Sequence, residues 1–104
     1  MTADDLTSLV LASIADRWSE TNLHGVDLRE GLLSAPLTIE AVDVYGQQMN
    51  SVWLVLTECG VGNSGYGVVY SEPDDAFGLI QFATGYQSCV LGIYGTFWQA
   101  FTGM

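Results

Sequence analysis

Residues 49–70 read MNSVWLVLTECGVGNSGYGVVY, and the fold turns on how this stretch is parsed. From Met49 to Glu58 the apolar side chains fall on both parities, Val52, Leu54 and Leu56 on one face and Trp53 and Val55 on the other. A strand-forming run that is apolar on both faces belongs in a central strand covered from both sides. The segment CGVGNSG then supplies turn residues, and Tyr66 to Tyr70 resumes the extended texture. So short a connection has no room for a crossover helix, which makes the pairing antiparallel.

The same texture extends outward on both sides. Upstream, Leu37 to Tyr45 alternates and then slips phase at Ala41 and Val42, which predicts a bulge there; Gly46 to Gln48 is the turn that follows. Downstream, SEPDD with Pro73 is a turn, Phe77 to Phe82 a strand, TGYQS a loop and Cys89 to Tyr94 another strand. The connections are short throughout, so about five strands form an antiparallel meander.

Helices flank the sheet. Leu6, Leu9, Val10, Ile14 and Trp18 recur at three- and four-residue spacing and predict a helix over about residues 3–21, with Thr2 as N-cap and Asp4 and Asp5 in its first turn. Asn22 and Gly25 mark its end. Asp27 and Glu30 have capping-box spacing for a short second helix with Leu28 and Leu32 on one face, ended by Pro36. Gly95 breaks the last strand, and Thr96 caps a short terminal helix bearing Phe97, Trp98 and Phe101. The expectation is one α+β domain over residues 1–104, a long N-terminal helix packed on the sheet.

Composition supports one core and constrains partners. The 104 residues are 49% hydrophobic and only 13% charged, against about 25% charged in a typical soluble domain. Size scaling predicts roughly 5,700 Å² of folded surface, or about one charged side chain per 400 Å². The net charge of −10 comes from twelve Asp and Glu against two cationic side chains, Arg17 and Arg29, with no Lys and one His, His24. Two cations cannot supply the phosphate contacts on which nucleic-acid binding rests. An anionic membrane is disfavoured for the same reason, whereas a basic protein is attracted. Sparse charge also implies apolar surface, for which a homodimer is the simplest use. The N-terminus carries Asp4 and Asp5 where a signal peptide has cations, and no apolar run reaches spanning length, so a cytoplasmic location is expected. Cys59 and Cys89 lack C-x-x-C spacing and read as buried free thiols.

Catalytic signatures are weak. Gly60, Gly62, Gly65 and Gly67 spell G-x-G-x-x-G-x-G, but a strand follows where a dinucleotide site needs a helix, and a kinase-type loop needs a Lys that this chain lacks. The stretch reads as a hairpin connection. His24 could serve Cys59 or Cys89, oriented by Asp27, though nothing in the spacing brings them together; a cap or exposed role fits it better. One His and two separated Cys do not make a zinc site, and Glu72, Asp74 and Asp75 lack EF-hand spacing. No catalytic residue, cofactor or metal ligand is assigned.

Aromatic residues concentrate in the second half, among them Tyr70, Phe77, Phe82, Tyr86 and Tyr94. Most read as core. In the tail TFWQAFTGM, Phe97, Trp98 and Phe101 are offset, and the expectation is that at least one faces a partner rather than closing the core. The sequence therefore suggests a small acidic, non-enzymatic protein acting by protein–protein contact, as a homodimer or as a neutraliser of a basic partner of immunity or inhibitor type. The alternative is a small-molecule-binding domain with a pocket between helix and sheet, lined by Trp18, Trp53 and Tyr66.

Overall fold

The computed structural model describes residues 1–43, 45–46, 48–82 and 88–104, and the loop containing Tyr86 lies outside them. In chain order the elements are α1 (Ala3–Ile14), α2 (Leu28–Gly31), β1 (Leu32–Val42), β2 (Met49–Thr57), β3 (Gly65–Ser71), β4 (Ala76–Phe82), β5 (Cys89–Gly95) and α3 (Phe97–Thr102). The five strands form the expected antiparallel meander flanked by helices, an α+β arrangement. The sheet also curls until β1 meets β5, closing a barrel. That last contact is parallel and rests on Val42 beside Cys89. The accessible surface is 5751 Å².

The two faces of the sheet bury separate cores. Inside the barrel, Ala41, Val52, Leu54, Val69, Ile80 and Val90 make a cluster to which every strand contributes. Outside, Val55, Leu56, Val68, Tyr70, Phe77 and Leu79 meet the apolar faces of the three helices. Strand β2 serves both because its register against β3 shifts between Leu54 and Leu56, with Val55 the extra residue. Its doubly apolar pattern is thus explained by a wall between two cores.

Gly67 and Gly78 fit the tight interior. A Cβ on Gly78 would lie 2.4 Å from the Gly92 carbonyl oxygen, and one on Gly67 would lie 2.7 Å from that of Leu56. Neither separation is sterically possible, so each site requires the missing side chain.

Helix α1 begins as expected, with a capping box between Thr2 and Asp5 that also holds the Asp5 carboxyl below its usual range. It ends at Ile14 rather than near residue 21, because Ala15 turns to φ 53° with its N–H on the Leu11 carbonyl. Leu6, Val10 and Ile14 are buried, whereas Leu9 points outward and Trp18 packs from the turn that follows. Helix α2 is a single turn: the Asp27 carboxylate accepts from Arg29 N–H, and the chain extends at Leu32, well before Pro36. Pro36 lies inside β1, in the stretch where the pairing with β2 shifts between Leu32 and Leu37. The bulge expected at Ala41 and Val42 is absent, since both pair regularly with Asn50 and Met49. A proline cannot donate to a ladder, so irregular pairing centres on it.

Helix α3 starts with a capping box between Thr96 and Gln99. Phe97 and Phe101 stack at 5.9 Å between ring centroids and are 1% and 0% exposed. Trp98 is half-buried, with its indole N–H donating to the Ser13 carbonyl. The tail therefore closes the outer core against α1 and β4.

Candidate functional site

The barrel is open where β1 and β5 part company. Strand β1 stops at Val42, beside the first residue of β5, and β5 runs on to Gly95 without a ladder partner on that side among the described residues. A cleft of about 780 Å³ occupies the opening. Val90, Leu91, Gly92 and Ile93 form one wall, and Asp43, Tyr45, Ser51 and Asp74 stand on the others. A smaller cleft of about 260 Å³ continues from it beside Trp53, sharing Ser51, Val52 and Pro73.

Strand β5 exposes apolar side chains here for a backbone reason. Its register against β4 shifts twice, so that Leu91 and Tyr94 are extra residues without a partner on β4. Leu91, 44% exposed, and Ile93, 38% exposed, line the cleft with Tyr45, 80% exposed, across it, whereas Tyr94, 45% exposed, lies outside it. Bulges of this kind re-aim side chains away from the regular alternation.

The acidic turn beside the cleft is held by hydrogen bonds. The indole N–H of Trp53 donates to Glu72 at 3.0 Å, the Ser71 hydroxyl to Asp74 at 2.7 Å, and the Tyr70 hydroxyl to Asp75 at 2.5 Å. Glu72 also sits 3.6 Å from the Met1 amino nitrogen. The Asp75 carboxylate and burial push the Tyr70 phenol up to about 12. A sequence reading makes these carboxylates a solvated turn; their three aromatic and hydroxyl partners come from β2 and β3 and become visible only in three dimensions.

No arginine lines either cleft. Both cationic side chains lie on the helical side, Arg17 4.0 Å from the centroid of the Trp98 ring and Arg29 5.3 Å from that of Trp18. Cation–π stacking on indole holds them there. Both cationic side chains are thereby held away from the opening, and Arg17 also lies 3.6 Å from Glu20.

A second polar cleft of about 330 Å³ lies at the other side of the hairpin, with His24, Asp27, Glu30, Glu58 and Cys59 around it. The His24 Nδ1 meets the Glu58 carboxylate, and its ring stands edge-on to Tyr66 at 5.3 Å. His24 is exposed, as expected, and its ring also pairs with Glu58 across 34 positions of sequence. The glycine-rich segment is a hairpin connection, and Gly60, Gly62 and Gly65 all have positive φ. Cys59 is exposed and Cys89 half-buried, so neither is the buried thiol expected; both are free. Among the described residues no group of three or more His, Cys, Asp or Glu is arranged to hold a metal ion.

The aromatic residues singled out in the sequence are dispersed, whereas His24, Asp27 and Cys59 come together around one cleft. Phe97 and Phe101 are core and offer no surface to a partner. Trp18, Trp53 and Tyr66 pack against the same outer core but engage different neighbours, Arg29, Glu72 and His24. Between α1 and the strands it covers, the cleft touching Val10, Leu33 and Val55 has about 30 Å³, room for a water rather than a ligand. The exposure of the apolar β5 residues is not legible in the sequence, because alternation carries no sign of two bulges. Among the described residues no helix is long and apolar enough to cross a membrane. Compared with protein families, curated proteins and solved structures, the chain matches none at a significant level.

Proposed function

We propose that this chain is a non-enzymatic binding protein that engages a basic protein partner through the open end of the barrel. The observation that carries this reading is the cleft itself: exposed Leu91, Ile93 and Tyr45 flank a surface with Asp43 and Asp74 and no arginine. Contiguous apolar surface rimmed by polar groups marks an interaction site. Carboxylates around it steer a cationic partner and disfavour a like-charged one. A second copy, which carries the same net charge of −10, is the less complementary occupant.

Site-specific photo-crosslinking tests the reading. A photoreactive residue replacing Leu91 should give one dominant adduct to a protein of high isoelectric point in cells that produce the chain. The same residue replacing Leu11, which is 46% exposed on α1, should not. Equal adducts from both positions, or an acidic or self-crosslinked product at position 91, would overturn it.

A further inference from the structure

We infer that β5 receives its basic partner as an added strand: an extended segment with cationic and apolar side chains lays its backbone along the free side of β5, in the place β1 vacates beyond Val42. The inference rests on the reading of the opening as the site of a basic partner and specifies how the partner is held.

Three observations converge on it. Beyond Cys89 the ladder of β5 has its β4 side filled and its other side without a strand among the described residues. An unpaired row of N–H and C=O groups is a template for another strand, and proteins ordinarily blunt such an edge with Lys, other charges or Pro. Strand β5 is CVLGIYG, with no charge and no proline. The space beside Val90–Ile93 is already open, a cleft of about 780 Å³. Backbone hydrogen bonds would supply affinity there, and alternate side chains of the added segment would supply specificity.

The walls decide what kind of strand fits. One set of alternate side chains would lie over Val90 and the interior residue Val52, which favours apolar groups. The rim carries Asp74 and, on the β1 side, Asp43, which favours Lys or Arg. The two register shifts face β4 and bend β5, so the matched stretch is short and centred on Leu91 to Ile93. A copy of β5 from a second molecule would bring no cation to this rim.

The test uses the full chain and an acetylated, amidated peptide of alternating Lys and Val, with an alternating Glu and Val control and a version N-methylated at every second residue. Binding at low ionic strength is followed by calorimetry and amide hydrogen exchange. The expected result is binding of the Lys peptide only, slowed exchange within Val90–Tyr94, and a loss of about tenfold or more on N-methylation. Binding that survives N-methylation, or that protects amides elsewhere, overturns strand addition while leaving the basic-partner reading standing. No preference for the Lys peptide over the Glu peptide overturns both. Protection of β5 by self-association without peptide assigns the edge to a second copy and overturns the inference.

Discussion

Val42 and Cys89 stand side by side in parallel, and the Val42 N–H donates to the Ser88 carbonyl at 2.9 Å. The barrel closes at this point and opens immediately after it. Closure and opening are therefore two consequences of one fact, the ending of β1 before β5 has finished. If this bond holds the seam, Val42→Pro, which deletes the donor, should cost about 1–3 kcal/mol. Urea unfolding measures it; an unchanged midpoint would show that the seam contributes nothing.

The tail aromatics and the exposed apolar side chains of β5 should behave oppositely on truncation. Phe101→Ala empties a fully buried site and should destabilise by about 3–5 kcal/mol. Leu91→Ala removes an exposed side chain and should stay within about 0.5 kcal/mol. Thermal unfolding of the two variants side by side checks the contrast. Similar losses would mean that Leu91 is packed rather than available.

Interior tightness is tested at Gly78. The Cβ of Gly78→Ala would meet the Gly92 carbonyl oxygen at 2.4 Å, and backbone of the neighbouring strand cannot yield without loosening the β4–β5 pairing. A loss of about 1–3 kcal/mol or more is expected, read from the denaturant midpoint. Wild-type stability in Gly78→Ala would contradict the close approach of β4 and β5.

The acidic turn makes an alkaline prediction. Tyr70, 2% exposed, donates to Asp75 and titrates at about 12, compared with about 10 in an unfolded chain. Because the folded value is the higher one, the contribution is complete below about pH 10 and is lost as pH rises towards 12. Ultraviolet titration of the phenol should place one tyrosine late in the wild type, and Asp75→Asn should bring it back towards 10. Asparagine is the suitable replacement, since residue 75 has φ 46° and Asn tolerates that conformation. A late tyrosine that persists in Asp75→Asn would refute the assignment to this pair.

Ala15 supplies a stabilising prediction. Its φ of 53° places a Cβ where left-handed backbone disfavours one, at the position where helices commonly end in glycine. Ala15→Gly should raise stability by about 0.5–1 kcal/mol, measured in urea. A loss would mean that the Ala15 methyl group does more for the fold than its backbone strain costs.

The contrast between α3 and α1 shows what a sequence carries. Thr96 and Gln99 announce a helix start through their own side chains, as do Thr2 and Asp5, and both capping boxes form. The end of α1 has no such mark, because Ala15 is a favourable helix residue that tertiary packing forces into a turn. Strand order follows from short connections, yet barrel closure depends on accumulated curvature, which Val42 and Cys89 do not encode locally. The bulges at Leu91 and Tyr94 likewise arise from pairing with β4, so the apolar run of β5 does not tell which of its side chains are exposed. The offset of Phe97, Trp98 and Phe101 suggested a surface, but α1 and β4 together surround them. His24 and Glu58 are far apart in the chain, and only the hairpin brings them together.

The opening beside β5 is proposed to receive an unlike, basic chain rather than a second copy. Molar mass by light scattering, at low and at moderate salt, tests it most directly. The 11.2 kDa monomer is expected in both conditions, with a cationic peptide binding best at low salt. A dimer that persists in both, with β5 protected from hydrogen exchange, would contradict it.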